Sequence, residues 1–153
     1  MSGIRVVIAD DDDGVRTALH DVLDADQRFL VVGTASGGED LTRIVAAARP
    51  DVVLLDVRMP GGGEAAARGI SMLDNAPVVV AVSASTEVST IVAMLEAGAT
   101  GYLAKGRLGQ WLPEMVARCV DGQVVLAVPN GAAVLRRLSS SAPDSMPRLH
   151  VAP

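Results

Sequence analysis

The chain has 153 residues, of which 50% are hydrophobic, and a formal net charge of -5. This composition excludes a disordered chain, allows one domain with one core, and argues against binding of nucleic acid over a broad surface. The single cysteine, Cys119, excludes an internal disulfide, and the sequence contains neither a signal peptide nor a long apolar stretch, so we expect a cytoplasmic protein without membrane contact.

Short apolar runs alternate with helical patterns along the chain. The runs cover residues 5–9, 30–34, 51–57, 78–82 and 101–104. Continuous runs such as VVLLDV and PVVVAV are typical of strands buried on both faces of a parallel sheet. The alternation predicts an α/β domain: a doubly wound five-stranded parallel sheet with helices on both faces, which commonly has the strand order 2-1-3-4-5.

The intervening segments carry hydrophobic residues at helical spacing. The four stripes are Val15, Leu19, Val22 and Leu23; Leu41, Ile44 and Val45; Val88, Ile91, Val92 and Leu95; and Trp111, Leu112, Met115 and Val116. A further helix follows three glycines that predict a loop after residue 60. We expect Cys119 to be a buried helical residue and the domain to end near residue 120.

Residues 121–153 are predicted to form a C-terminal extension. The segment AAVLRRLSSS predicts a short linker helix at about 131–140, with Asn130 as its cap. The final SAPDSMPRLHVAP contains three prolines and little apolar periodicity, so we predict a flexible tail.

The unusual polar residues all follow predicted strands. Asp10 and Asp11 end the first strand, Asp56 the third and Ser83 the fourth, while Lys105, the only lysine, ends the fifth. Because parallel strands end at one edge of a sheet, where ligands of such folds bind, these side chains are expected to converge. Four consecutive aspartates exceed what a helix cap needs and predict a bound cation.

Each of these residues also has a simpler interpretation. Asp56 alone could cap a loop, Ser83 could satisfy a loop backbone, and an isolated lysine is usually solvated. Tyr102, taken alone, is more simply interpreted as a residue that packs in the core than as one that takes part in chemistry. The two histidines, at positions 20 and 150, are far apart and share no metal-ligand spacing.

Four motifs carry a family resemblance. In chain order the motifs are ADDDDGVRTAL, DVRMPGGG, VSAS and AGATGYLAKG. Together they resemble the response-regulator receiver domain of two-component signalling, and their details are similar to its NarL/LuxR-type subfamily. The similarity covers residues 4 to 120 and implies a flavodoxin-like, CheY-like fold. It also implies phosphorylation by a sensor histidine kinase, homodimerisation on phosphorylation, and control of transcription through a DNA-binding domain.

The resemblance implies a role for each motif residue. Asp56 corresponds to the phosphoacceptor, and Asp10 and Asp11 to the acidic pair that binds Mg²⁺ or Mn²⁺, with Asp56 and the backbone carbonyl of Arg58 as further ligands. An all-oxygen site of this kind suits Mg²⁺, and a carboxylate can accept a phosphoryl group as a covalent nucleophile. Asp12 and Asp13 are expected to serve as helix caps or to add to the local field.

Three further residues correspond to the response machinery. Ser83 matches the hydroxyl position that meets the phosphoryl group, Lys105 the family's lysine, and Tyr102 the aromatic switch. Phosphorylation is then expected to draw Ser83 and Lys105 toward the new anion and to move Tyr102 inward.

The sequence departs from the family pattern in three places. The loop after Pro60 is about one residue short, Gly106 replaces the proline that often follows the lysine, and no helix-turn-helix follows residue 140. A stand-alone receiver that acts by protein–protein interaction is therefore an alternative.

Enzymatic activity beyond slow autodephosphorylation is not expected. An aspartate-nucleophile phosphatase is disfavoured by Arg58 at its acid/base position, and a nucleotide-binding domain by the lack of a glycine-rich phosphate loop.

Overall fold

The computed structural model describes residues 3–107, 109–141 and 149–151. Strands and helices alternate along the chain. In order they are β1 (Ile4–Ala9), α1 (Asp13–Asp24), β2 (Phe29–Ala35), α2 (Gly38–Ala48), β3 (Val52–Leu55), α3 (Gly63–Ser71), β4 (Val78–Ser83), α4 (Val88–Glu96), β5 (Gly101–Ala104), α5 (Leu112–Val120), β6 (Val124–Ala127), α6 (Gly131–Ser141) and β7 (Leu149–Val151). Two short 3₁₀ turns, Lys105–Arg107 and Gly109–Trp111, connect β5 to α5.

All strand pairs of the sheet are parallel, and the strand order is β2-β1-β3-β4-β5-β6-β7. Successive residues of a strand point to opposite faces, so Val6 and Ile8 pack with α1 and α5 on one face. Val7 and Ala9 pack on the other face with residues of α2, α3, α4 and α6. Both faces are thus covered by helices, as the continuous apolar runs predicted.

The predicted fold class is confirmed, and the first five strands have the expected order 2-1-3-4-5. The predicted strand number was wrong, because β6 and β7 extend the sheet beyond β5. The run VVLAV at 124–128 is buried throughout, and its pairing with β5 removes an otherwise open sheet edge.

The helices follow their predicted hydrophobic stripes, except that Trp111 precedes α5 and is 63% exposed. Cys119 is buried on α5, as expected.

The segment after residue 120 differs from the predicted extension. Its helix is present as α6, but β6 and α6 pack on the main core rather than leading away from it. Asn130 lies immediately before α6, yet its side-chain amide donates to the carbonyl of Thr86 instead of capping the helix. Of the predicted flexible tail, Ser141 ends α6 and Leu149–Val151 forms β7, and the rest lies outside the described residues.

Candidate functional site

Three carboxylates meet at the carboxyl ends of β1 and β3. Asp10 and Asp11 follow β1, Asp56 follows β3, and each offers an oxygen within 4.8 Å of the others. Asp10 and Asp56 are only 1% and 6% exposed, whereas Asp11 is exposed. The predicted convergence of these residues is therefore present, and the oxygen-rich cluster has the donor chemistry that Mg²⁺ prefers.

The backbone holds the two buried aspartates in place. The N–H of Asp56 donates to the carbonyl of Ala9 over 2.9 Å, and that of Asp10 donates to Ala35 over 3.0 Å. Asp10 also accepts a 2.9 Å hydrogen bond from the N–H of Asp12. The two backbone bonds continue the strand ladders past their ends, so both aspartates are anchored to the rigid sheet.

Lys105 bridges the two buried carboxylates from the end of β5. Its Nζ lies 2.8 Å from Oδ2 of Asp10 and 3.6 Å from Oδ1 of Asp56. Partial burial disfavours its charge, but the bonds to these carboxylates prevail and raise the pKa of Lys105. The sequence placed Lys105 in this cluster but did not reveal that Asp10 is its nearer partner.

The cluster carries more negative charge than Lys105 can balance. Burial, together with the charges of Asp10 and Asp11, raises the pKa of Asp56, although Lys105 and the N–H of Arg58 act in the opposite direction. Buried charges of like sign are stable only when a counter-charge is present. The donor set and its unbalanced charge therefore fit a divalent cation.

The other two aspartates of the acidic run belong to α1. Asp12 is the N-cap and accepts a 3.1 Å hydrogen bond from the N–H of Val15. Asp13 lies in the first turn, where it forms an ion pair with Arg16, and its side chain is 90% exposed. Asp12 thus caps α1 and Asp13 lies in its first turn, while binding of a metal by Asp10 and Asp11 stays a prediction.

The loop between β4 and α4 is tied together by short hydrogen bonds. Ser83 is buried, and its Oγ accepts from the N–H of Ser85 over 3.1 Å. The hydroxyl of Tyr102 donates to the carbonyl of Ser85 over 2.7 Å, and burial raises the pKa of Tyr102. Tyr102 is fully buried in this structure, and its inward movement on phosphorylation stays a prediction.

The loop between β3 and α3 begins beside Asp56. Arg58 is exposed, and its N–H faces the Asp56 carboxylate. Gly61 and Gly62 have φ values of 90° and 81°, which L-residues with side chains rarely adopt, and the loop predicted from these glycines is confirmed. No cis peptide bond occurs among the described residues, including the one after Lys105.

Residues 6–117 match the family model of the response regulator receiver domain. The chain belongs to this family. It is 36% identical over 121 residues to the response regulator GacA of Pseudomonas aeruginosa, covering 78% of this chain and 56% of that protein. It is also 43% identical over 140 residues to a protein-glutamate methylesterase/protein-glutamine glutaminase of Cereibacter sphaeroides, covering 84% of this chain and 38% of that protein.

Solved receivers have the same fold. The signal receiver domain of the putative response regulator NarL from Mycobacterium tuberculosis superposes with a TM-score of 0.77 at 31% identity, covering 80% of this chain and all of that one. The receiver family of two-component signalling is thus established for this chain, which spans only part of the length of its curated relatives. None of the described helices is long and apolar enough to cross a membrane.

Proposed function

We propose that this receiver accepts a phosphoryl group on Asp56 and changes conformation in response. The observation that carries the proposal is the position of Asp56, a buried carboxylate beside Asp10, Asp11 and Lys105. Positioning and charge neutralisation are the main requirements of phosphoryl transfer. The site supplies the position and, through Lys105, part of the neutralisation, and a divalent cation would supply the rest.

In this reaction a carboxylate oxygen of Asp56 forms a bond to phosphorus while the bond from phosphorus to the donor breaks. Lys105 stands 3.6 Å from Asp56 and neutralises part of the charge on the transferred group. Ser83 donates its hydroxyl hydrogen to a phosphoryl oxygen. Mg²⁺ or Mn²⁺, held by Asp10, Asp11, Asp56 and the carbonyl of Arg58, would neutralise further charge when bound.

The partner of this reaction is a sensor histidine kinase, since receivers of response regulators are phosphorylated by such kinases. The output is control of transcription through a DNA-binding domain outside residues 1–153, and phosphorylation promotes homodimerisation. Chemistry beyond slow loss of the chain's own phosphoryl group is not part of the proposal. The relatives support the receiver role, whereas their names differ in the output: a response regulator and a methylesterase.

The test uses acetyl phosphate as donor and intact-mass spectrometry as the measurement. The wild-type protein should gain the mass of one phosphoryl group in the presence of Mg²⁺ and none when the metal is chelated. Asp56→Asn should gain nothing, because an amide is not a comparable nucleophile. Asp13→Asn, which removes an exposed carboxylate of α1, is the matched control and should behave as wild type. Phosphorylation of Asp56→Asn would refute the assignment.

A further inference from the structure

The segment from residue 124 to 141, here called the C-terminal unit, covers one side of the receiver. Its strand β6 pairs with β5, and Leu126 stands opposite Tyr102 in the register. Three further residues of the unit, Val128, Val134 and Leu138, are buried in the same hydrophobic cluster as Tyr102 and residues of α4. The unit therefore covers β5 and α4 and shields Tyr102 from solvent on this side.

A chain of hydrogen bonds joins the C-terminal unit to the phosphorylation site. Ser83 Oγ accepts from the N–H of Ser85, whose carbonyl accepts from the Tyr102 hydroxyl. The carbonyl of the next residue, Thr86, accepts a 2.7 Å hydrogen bond from Nδ2 of Asn130, directly before α6. Two hydrogen bonds, joined by the backbone of Ser85 and Thr86, thus connect the expected phosphoryl-binding hydroxyl to Asn130, directly before α6, while Tyr102 binds the same loop from β5.

The side-chain amide of Asn130 forms a hydrogen bond through its Nδ2 but, among the described residues, none through its Oδ1. Its Oδ1 is buried and has no hydrogen-bond partner within the described part of the chain. A buried acceptor without a partner costs free energy, which is recovered when the group reaches water. Apolar packing and the Asn130–Thr86 bond stabilise the docked position of α6, while the unpartnered Oδ1 lowers the free-energy cost of releasing Asn130.

We propose that α6 is the response element of this receiver and that Asn130 couples it to phosphorylation. The inference rests on the proposed function, because it takes Ser83 to turn its hydroxyl toward a phosphoryl group on Asp56. That movement removes the anchor of the Ser85 N–H and displaces the Thr86 carbonyl from Asn130. The first turn of α6 then loosens. The signal thus reaches α6 through the loop between β4 and α4 and through Asn130.

Hydrogen exchange on the full chain tests this coupling. Beryllofluoride with Mg²⁺ serves as the phosphoryl mimic, and its binding is followed independently by fluorine NMR. We expect amides of α6 to exchange about fivefold faster with the mimic bound, the change that corresponds to loss of one ordinary hydrogen bond. Amides of β1 and β3 should keep their protection, which shows that the fold is intact.

Variants separate coupling from general loosening. Asn130→Ala should show fast exchange of α6 without the mimic and no further change with it, while its β1 and β3 amides remain protected. Ser139→Ala, which alters an exposed residue of the same helix, should respond as wild type. Bound mimic with unchanged α6 exchange in wild type, or an unaltered response in Asn130→Ala, would overturn the inference and leave the proposed function standing. Failure of the mimic to bind, together with failure of Asp56 to be phosphorylated, would overturn both.

Discussion

At the scale of single residues, charge decides what the site can do. Asp10, Asp11 and Asp56 face one ammonium group, that of Lys105, while Asp12 and Asp13 belong to α1. Neighbouring aspartates of one run thus have different surroundings. Substitutions that remove equal charge at two of these positions can therefore separate metal binding from the general electrostatic field.

Asp11→Ala should weaken Mg²⁺ binding by about tenfold or more, the scale expected for loss of a group that supports a metal site. Asp13→Ala removes the same charge, but from a side chain that is 90% exposed and paired with Arg16, so its effect should be much smaller. Isothermal calorimetry measures both affinities. Equal losses in the two variants would show that the field of the acidic run, rather than direct ligation, governs affinity.

The raised pKa of Asp56 predicts a dependence of stability on pH. Its causes are burial and then the charge of Asp10. Since the unfolded chain releases this proton at a lower pH than the folded protein, the free energy of unfolding falls as pH rises from the ordinary value of 3.8 through the raised folded value. Ionised Asp56 therefore destabilises the metal-free protein at neutral pH.

Asp56→Asn should accordingly stabilise the metal-free protein at pH 7 by about 1 to 3 kcal/mol, the scale of a buried polar group that is incompletely compensated. The gain should disappear below about pH 4, where the carboxyl is protonated in both states. Urea unfolding at the two pH values measures the difference. A variant less stable than wild type at pH 7 would mean that the contacts of Asp56 with Lys105 and Arg58 outweigh its burial.

The sequence located the charged residues of the site but not their pairing. Asp10, Asp11, Asp56 and Lys105 follow predicted strands, and the geometry of a parallel sheet brings such ends together. The choice of Lys105 between Asp10 and Asp56 depends on side-chain reach and local backbone, which no periodicity encodes. The contact between Asn130 and Thr86 joins residues far apart in the chain and has no local sequence signal either.

At the scale of secondary-structure elements, α3 begins unusually close to the end of β3. A Cβ added at Gly63 would lie 2.6 Å from the carbonyl oxygen of Asp56 and 2.6 Å from Cα of Val57. Both contacts are with backbone, which cannot rotate away. Gly63 thus allows α3 to start in direct contact with the backbone of Asp56, the proposed phosphoacceptor.

Gly63→Ala should lower the free energy of unfolding by about 1 to 3 kcal/mol, as overpacking does in a tight contact. Gly69→Ala is the matched control on the same helix, because a Cβ there meets nothing within 4 Å. It should stabilise the protein by about 0.5 to 1 kcal/mol through helix propensity. Urea denaturation distinguishes the two, and a Gly63→Ala protein as stable as wild type would contradict the close approach.

Prediction of elements succeeded where the pattern was long and failed at the sheet edge. Strands β1 to β5 were found because each continuous apolar run precedes or follows a clear helical stripe. The run at 124–128 is rich in Val and Leu like β3, but it lies beyond the predicted domain end and was included in the extension. The run is buried because it pairs with β5 and packs with residues of α5 and α6, contacts that only the tertiary fold provides.

At the scale of the whole molecule, the C-terminal unit continues the core instead of following it. Leu126, Val134 and Leu138 are each at most 2% exposed and belong to the same hydrophobic cluster as Val7 and Leu55. The family match ends at residue 117, so the matched segment alone would leave β5 as an open edge. Removal of the whole unit should therefore destabilise the receiver core itself.

A chain ending at residue 120 tests that conclusion against the predicted domain boundary. It loses the burial of several aliphatic side chains, each contributing about 1.5 to 3 kcal/mol, offset in part by the entropy of ordering the segment. We expect the free energy of unfolding to fall by at least about 2 kcal/mol and the urea m-value to fall with the smaller buried surface. A chain ending at residue 141 retains β6 and α6 and should keep most of the wild-type stability. If the chain of residues 1–120 unfolds at the same urea concentration as the full chain, the boundary near residue 120 is right and the C-terminal unit is a separate attachment.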